Sequence, residues 1–129
     1  MVTQFIFWLQ KVHLHLMLWE VGRKLTNKCT NDAEFKKLLD GKDVVLQFET
    51  QDEGISRHYI IKNNTVASIL GSHVKPTTTL SFVDAAYAIT TLKNKDPMDL
   101  MKGVQEQKIK PAGDIANLVW FVNAARNSS

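Results

Sequence analysis

Apolar side chains surround nearly the whole circumference of a helix predicted over Met1 to about Leu25. Successive residues of an α-helix are about 100° apart, and at that spacing the apolar residues from Phe5 to Val21 fall on every side. A helix that is apolar all round must be buried or must contact lipid. Because a domain of this size hides one face of such a helix, we expect the other face to contact a second subunit, a membrane surface or a ligand.

The hydrophobic pattern changes to a period of two at Val44. Val44, Leu46 and Phe48 alternate with their neighbours, which predicts a half-buried strand. Further strands are predicted over 57–61, 65–70 and 77–81. Asn63-Asn64 suits a tight hairpin turn, because asparagine tolerates the left-handed backbone region. The first three of these strands, linked by hairpins, are therefore predicted to form an antiparallel meander that packs one face on helices.

A capping signal follows the first helix. Asn31 with Glu34 three residues later resembles a capping box. The short helix that it starts is expected to bury Phe35, Leu38 and Leu39.

Capping signals also predict the helices of the second half. Ser81 with Asp84 predicts one helix start, and Asp96-Pro97 predicts another, because proline fits the first turn of a helix. A strand-like stretch over 105–110 follows. Gly113-Asp114 then opens a last apolar helix.

Composition and charge narrow the class of protein. The 129 residues carry 16 Lys and Arg against 13 Asp and Glu, a net charge of +3. This length suits one domain with one core. The basic residues are scattered, so we expect no nucleic-acid partner. The single cysteine, Cys29, excludes a disulfide within the chain and a cysteine-based zinc site, and we favour a buried thiol.

No constellation of residues indicates catalysis. Ser72 and His73 are adjacent, but no G-x-S-x-G elbow surrounds them. His13 and His15 point about 200° apart on a helix, so they do not share a metal ion. The sequence contains no Walker-type or G-x-G-x-x-G phosphate loop. We therefore expect no enzymatic activity, no cofactor and no metal site.

The order of these motifs resembles the sterol carrier protein 2 (SCP-2) domain over about residues 33–125. The resemblance rests on the meander with VVLQFE (44–49) and YII (59–61), and on a tail with DPMDLM (96–101), QKIK (107–110) and GD (113–114). It implies an α+β fold, SCP-2-like, with a five-stranded, mostly antiparallel sheet covered by helices. The long apolar N-terminal helix is additional. We divide the chain into this helix, 1–30, and an SCP-2-like domain, 31–126.

The resemblance also implies a function. Members of the family hold lipids in an apolar tunnel, so we expect a lipid-binding or lipid-transfer protein. Its ligand would be a sterol, fatty acid, acyl-CoA, phospholipid or isoprenoid quinone. One departure from the family pattern is Pro111, which we expect to shorten the last strand. The residues expected to line the tunnel are Phe82, Leu92, Met98, Leu100, Met101, Val104, Ile109, Ile115, Leu118, Val119, Phe121 and Val122.

The alternative is an interaction or scaffold protein that assembles through the N-terminal helix and has no small-molecule ligand. We expect a homodimer through this helix, and a peripheral membrane contact is the other use of it, because Arg23, Lys24 and Lys28 follow its apolar part. No signal peptide or membrane-spanning helix is predicted, so we expect a cytoplasmic protein. The residues expected at the interface are Phe5, Trp8, Leu9, Val12, Leu16 and Trp19.

Overall fold

The computed structural model describes residues 2–51, 55–94, 96–114, 116–117 and 120–121. Its helices are α1 (Val2–Asn31), α2 (Ala33–Leu38), α3 (Ala85–Asn94) and α4 (Pro97–Gln105). Its strands are β1 (Val44–Thr50), β2 (Ser56–Lys62), β3 (Thr65–Leu70), β4 (Thr78–Phe82) and β5 (Ile109–Gly113). Residues 116–117 and 120–121 are also helical.

The five strands form one sheet in the order β3-β2-β1-β4-β5. Strands β1 and β4 are parallel, and the other three pairings are antiparallel. Asn63 and Asn64 have φ angles of 53° and 61°, as the tight turn between β2 and β3 requires. The α+β class and the five-stranded, mostly antiparallel sheet are therefore confirmed.

Helix α1 packs one face on the rest of the domain. Leu14, Leu18, Leu25 and Cys29 are buried at successive spacings of four, seven and four residues, which places them along one side of the helix. Because this buried side continues to Cys29, α1 extends beyond the predicted end near Leu25 and stops at Asn31.

Two of the predicted caps are wrong by one and three residues. Asn31 is still helical, and Asp32 caps α2 by accepting the backbone N–H groups of Glu34 and Phe35 at 3.0 and 3.1 Å. Asp84, not Ser81, accepts from an N–H in the first turn of α3 at 2.8 Å. In both cases the acidic side chain closest to the helix start satisfies the free N–H groups.

Two further local predictions need correction. Leu38 is 44% exposed, whereas Phe35 and Leu39 are buried, because α2 is too short to bury a wide face. The last strand lies at 109–113 and not at 105–110. It also runs through Pro111, which pairs with Leu80. Proline is tolerated there because β5 is an edge strand.

Candidate ligand-binding site

An aromatic cluster covers the middle of the helix-facing side of the sheet. Phe48 lies in its centre, with ring centroids 5.7 Å from Tyr59, 6.5 Å from Phe82 and 5.4 Å from Phe121. Phe121 also lies 5.5 Å from Tyr59. All four side chains are buried. The cluster joins three strands to the C-terminal helical residues and gives this face its apolar character.

Tyr59 connects the cluster to α1. Its hydroxyl donates a hydrogen bond of 2.5 Å to the backbone oxygen of Leu18. Burial raises the pKa of the Tyr59 phenol above its ordinary value, and the positive charge of Arg57 opposes that shift. The phenol therefore stays protonated and keeps donating throughout the physiological pH range.

A charged side chain is buried beside this cluster. Arg57 is 8% exposed, and its backbone pairs with Phe48 on β1 and Leu70 on β3. Its Nη1 atom donates to Oγ of Ser68 at 2.8 Å. Its Nε atom is buried and has no hydrogen-bond partner. A cation in this setting is unusual, because buried arginines normally have an acidic partner.

A groove of about 420 Å³ runs between α1 and the edge strand β3. Gly22 lets the two elements approach closely here, since a Cβ atom at this position would lie 2.5 Å from Cβ of Ser68. The residues that line the groove are Trp19, Gly22, Arg23, Thr26, Asn27, Val66, Ala67 and Ser68. Ser68 therefore faces the groove and also contacts Arg57.

The predicted tunnel residues lie in three environments. Phe82, Ile109 and Phe121 are buried in the core, and Leu92, Leu100 and Val104 pack against it. Met98 and Met101 are 69% and 49% exposed. The structure brings Phe82 and Phe121 together through Phe48. Four predicted positions lie outside the described residues, namely Ile115, Leu118, Val119 and Val122.

The sequence pattern of β2 contained a signal for the buried arginine. Arg57, Tyr59 and Ile61 occupy alternate positions, so they share one face of the strand. Because Tyr59 and Ile61 are apolar core residues, the period of two places Arg57 on the buried side as well. Sequence analysis missed Gly22 and Ser68, whose contact joins positions 46 residues apart.

The outer face of α1 is apolar and accessible. The six predicted interface side chains on this helix are between 37% and 60% exposed. Helical geometry places Phe5, Val12 and Trp19 along one line, about opposite the buried Leu14 and Leu25. We call this surface the α1 stripe, defined by Phe5, Trp8, Leu9, Val12, Leu16 and Trp19.

Ser72 and His73 form hydrogen bonds with neighbouring polar groups. The Ser72 hydroxyl donates to Oγ of Ser56 at 3.0 Å, and Nδ1 of His73 accepts from the N–H of Lys75 at 2.9 Å. In the parts of the chain that the structure describes, no three His, Cys, Asp or Glu side chains are grouped to hold a metal ion. No helix among the same residues is long and apolar enough to cross a membrane.

Several solved structures with this architecture are named as SCP-2 or sterol carrier proteins. A structure named "UbiJ-SCP2 Ubiquinone synthesis protein" matches with a TM-score of 0.67 and 16% identity, over 88% of this chain and 91% of that one. Sterol Carrier Protein 2 from Yarrowia lipolytica matches with a TM-score of 0.66 and 12% identity, over 84% and 87%. The chain has the SCP-2 fold.

A third structure with the SCP-2 fold is sterol carrier protein domain 2 of Helicoverpa armigera. It matches with a TM-score of 0.61 and 15% identity, over 87% of each chain. No protein-family model and no curated protein matches the sequence. The likeness is therefore one of fold, and it agrees with the resemblance in the order of the sequence motifs.

Proposed function

We propose that this protein binds an apolar, lipid-like molecule between the helix-facing side of its sheet and the helices that cover it. The observation that carries the proposal is the 420 Å³ groove between α1 and β3 of an SCP-2 fold, whose lining residue Gly22 lies close to Tyr59 of the aromatic cluster. Its volume lies within the range of about 300–1,000 Å³ that small-molecule sites occupy. In this proposal the protein binds or transfers the lipid and catalyses no reaction on it. It acts in the cytoplasm.

The hydrophobic effect supplies enough affinity for such a role. Each buried CH₂ group gains about 0.8 kcal/mol, so a chain of about 16 carbons gains on the order of 10 kcal/mol before ordering costs. Phe82 and Phe121, two of the predicted tunnel residues, belong to the aromatic cluster. The exposed Met98 and Met101 would contribute at an entrance, where their flexible side chains can adapt to different ligands.

The candidate ligands are those that the fold suggests: a sterol, a fatty acid, an acyl-CoA, a phospholipid or an isoprenoid quinone. A quinone has one additional argument, since one structural neighbour is named a ubiquinone synthesis protein. The proposal leaves transfer and storage as two uses of the same site.

Native mass spectrometry on protein purified without detergent tests lipid binding directly. We expect a discrete adduct, and solvent extraction then identifies the lipid. A brominated fatty acid locates it, because bromine quenches a tryptophan that it contacts. Quenching should fall in Trp19→Phe, at the groove, and persist in Trp8→Phe, which is outside it. Protein that carries no lipid and binds no added fatty acid, sterol or quinone would overturn the proposal.

The α1 stripe favours a second role, assembly of two copies through α1. Its six large apolar side chains are each at least 37% exposed, and a stable interface needs about 800 Å² of such surface per partner. Phe5, Val12 and Trp19 repeat every seven residues, as the seam of paired helices does. The partner that fits this surface is therefore a second copy of the chain.

Native mass measures the assembly in the same experiment. We expect a dimer that Leu16→Glu converts to a monomer, with His13→Glu as a control at an exposed position off the stripe. A wild-type monomer contradicts the homodimer. If that monomer also sediments with vesicles of anionic phospholipid, the stripe contacts membranes instead.

A further inference from the structure

Arg57 carries a positive charge inside the domain, and the fold does not explain why this charge is buried. Its guanidinium carries a positive charge and donates hydrogen bonds without accepting any. The side chain is 8% exposed, and the one described hydrogen bond goes to the neutral hydroxyl of Ser68. Across the described parts of the chain, no carboxylate forms an ion pair with it. The charge is buried there without a counter-ion.

A buried charge without a partner is costly, so proteins keep one where a function uses it. The Nε atom has a free N–H group that points to no acceptor. A guanidinium with free N–H groups suits a planar carboxylate or a phosphate, which accept two hydrogen bonds at once. The missing partner therefore has the chemistry of an anion.

The surroundings of Arg57 indicate what kind of molecule carries this anion. On one side, its Nη1 atom contacts Ser68, which lines the groove between α1 and β3. On the other side lie two aromatic side chains. Phe48 pairs with Arg57 across the sheet, and the charge of Arg57 lowers the pKa of the Tyr59 phenol, against the effect of burial. An amphipathic molecule would meet the cation at one end and the aromatic rings at the other.

The described lining of the groove is compatible with an anion. It contains one cation, Arg23, and no acidic residue. Arg23 pairs with Glu20 and lies 5.9 Å above the ring of Trp19, so its own charge is partly compensated. Arg57, whose Nη1 atom donates to the groove residue Ser68, has no such compensation from a described carboxylate.

We propose that Arg57 binds the anionic head group, a carboxylate or a phosphate, of an amphipathic lipid whose alkyl part lies against the aromatic cluster. The inference rests on the proposed lipid binding and narrows it, because the protein would select acidic lipids over neutral lipids of equal chain length. Anion binding neutralises the guanidinium and satisfies its free N–H groups, whereas a neutral alcohol does neither.

Binding of three ligands with the same alkyl chain tests this selection. Dodecanoate and monododecyl phosphate are titrated calorimetrically below their micelle concentrations, and 1-dodecanol below its solubility limit, at about pH 8, where the carboxylate is ionised. We expect the wild type to bind the two acids at least about tenfold more tightly than the alcohol. Arg57→Met should lose this preference and still bind 1-dodecanol. Lys62→Met, which removes an exposed cation from the same strand, should keep it.

Thermal unfolding shows whether each variant is folded. Should Arg57→Met not fold, Arg57→Lys decides, because it keeps the charge but loses the forked geometry and should lower the preference several-fold, to about a third or less. Acetate and inorganic phosphate separate a lipid head group from a free ion. If either stabilises the protein as much as dodecanoate does at equal concentration, the lipid part of the proposal is wrong.

The remaining outcomes separate failure of the Arg57 proposal from failure of the proposed lipid binding. Equal binding of all three ligands by the wild type overturns the role of Arg57 and leaves lipid binding intact. Binding of none overturns the proposed function itself. Asp52 and Glu53 lie outside the described residues, so their amide variants are measured as well. An acid preference that appears only in those variants means that these carboxylates already neutralise Arg57, and it refutes the proposal.

Discussion

Gly22→Ala should destabilise this protein, although the same substitution in an exposed helix is stabilising. Gly22 is buried in α1, where the helix crosses β3. An added methyl group would lie 2.5 Å from Cβ and Oγ of Ser68 and 3.1 Å from Cε1 of Tyr59. Non-bonded carbon atoms prefer about 3.5–4.0 Å, so α1 must move away from the sheet by about 1 Å.

Two opposing terms set the magnitude. Alanine is more favourable than glycine inside a helix by about 1 kcal/mol. Overpacking a tight contact costs about 1–3 kcal/mol. The upper part of that range applies here, because Cβ of Ser68 is attached to the backbone and cannot rotate away. The net loss should be about 1–2 kcal/mol, or roughly 3–10 °C in Tm.

Thermal and urea unfolding of four variants tests this reasoning. Thr30→Ala, at an exposed position of the same helix, should be neutral or slightly stabilising. Ser68→Gly removes the opposing Cβ atom, so Gly22→Ala should cost less in that background than in the wild type. A rise in Tm for Gly22→Ala alone would refute the close contact between α1 and β3, and with it the geometry of the groove.

Three further predictions concern Tyr59, Asp32 and Cys29. Tyr59→Phe should lower the free energy of unfolding by about 1 kcal/mol through loss of the bond to α1. Since burial raises the pKa of Tyr59, the contribution of this phenol to the free energy of unfolding holds below the ordinary phenol pKa and declines as pH rises above it. Urea titrations should find this decline in the wild type and not in Tyr59→Phe. The N–H of Phe35 and the charge of Lys28 lower the pKa of Asp32, so Asp32→Asn should cost stability at neutral pH. Urea titrations should show this cost vanishing as pH falls through the carboxyl range. A cost independent of pH would contradict this cause. Burial raises the pKa of the Cys29 thiol, so a disulfide reagent for thiols should modify Cys29 slowly in native protein and rapidly in urea. Equal rates would show that the thiol is accessible in the native protein.

Local signals predicted the elements well because they act between neighbouring residues. The tight turn at Asn63-Asn64 and the helix start at Asp96-Pro97 are both confirmed. The caps at 31 and 81 were misplaced because each has an acidic residue a little further along that competes for the same N–H groups. Such a choice depends on where the preceding helix or strand ends, which a short pattern does not contain.

Parts of the candidate site depended on contacts that no local pattern encodes. The sequence predicted Phe82 and Phe121 as ligand contacts, and the structure places both on one aromatic cluster. It did not predict the groove, which needs β3 to lie against α1, for example at Thr26 and Val66, which are 40 residues apart in the chain. The pairing of β1 with β4 likewise joins strands separated by the whole meander.

The sequence by itself determined the class of the fold, the order of its elements and the apolar nature of α1 on every side. Only the tertiary structure decided which side of α1 is buried, because a helix that is apolar all round has no preferred face. Gly22 permits one close approach to Ser68, and the bond from Tyr59 to Leu18 holds the helix in that orientation. The same packing encloses Arg57 and leaves the α1 stripe exposed, since one domain of this size can cover one face of the helix.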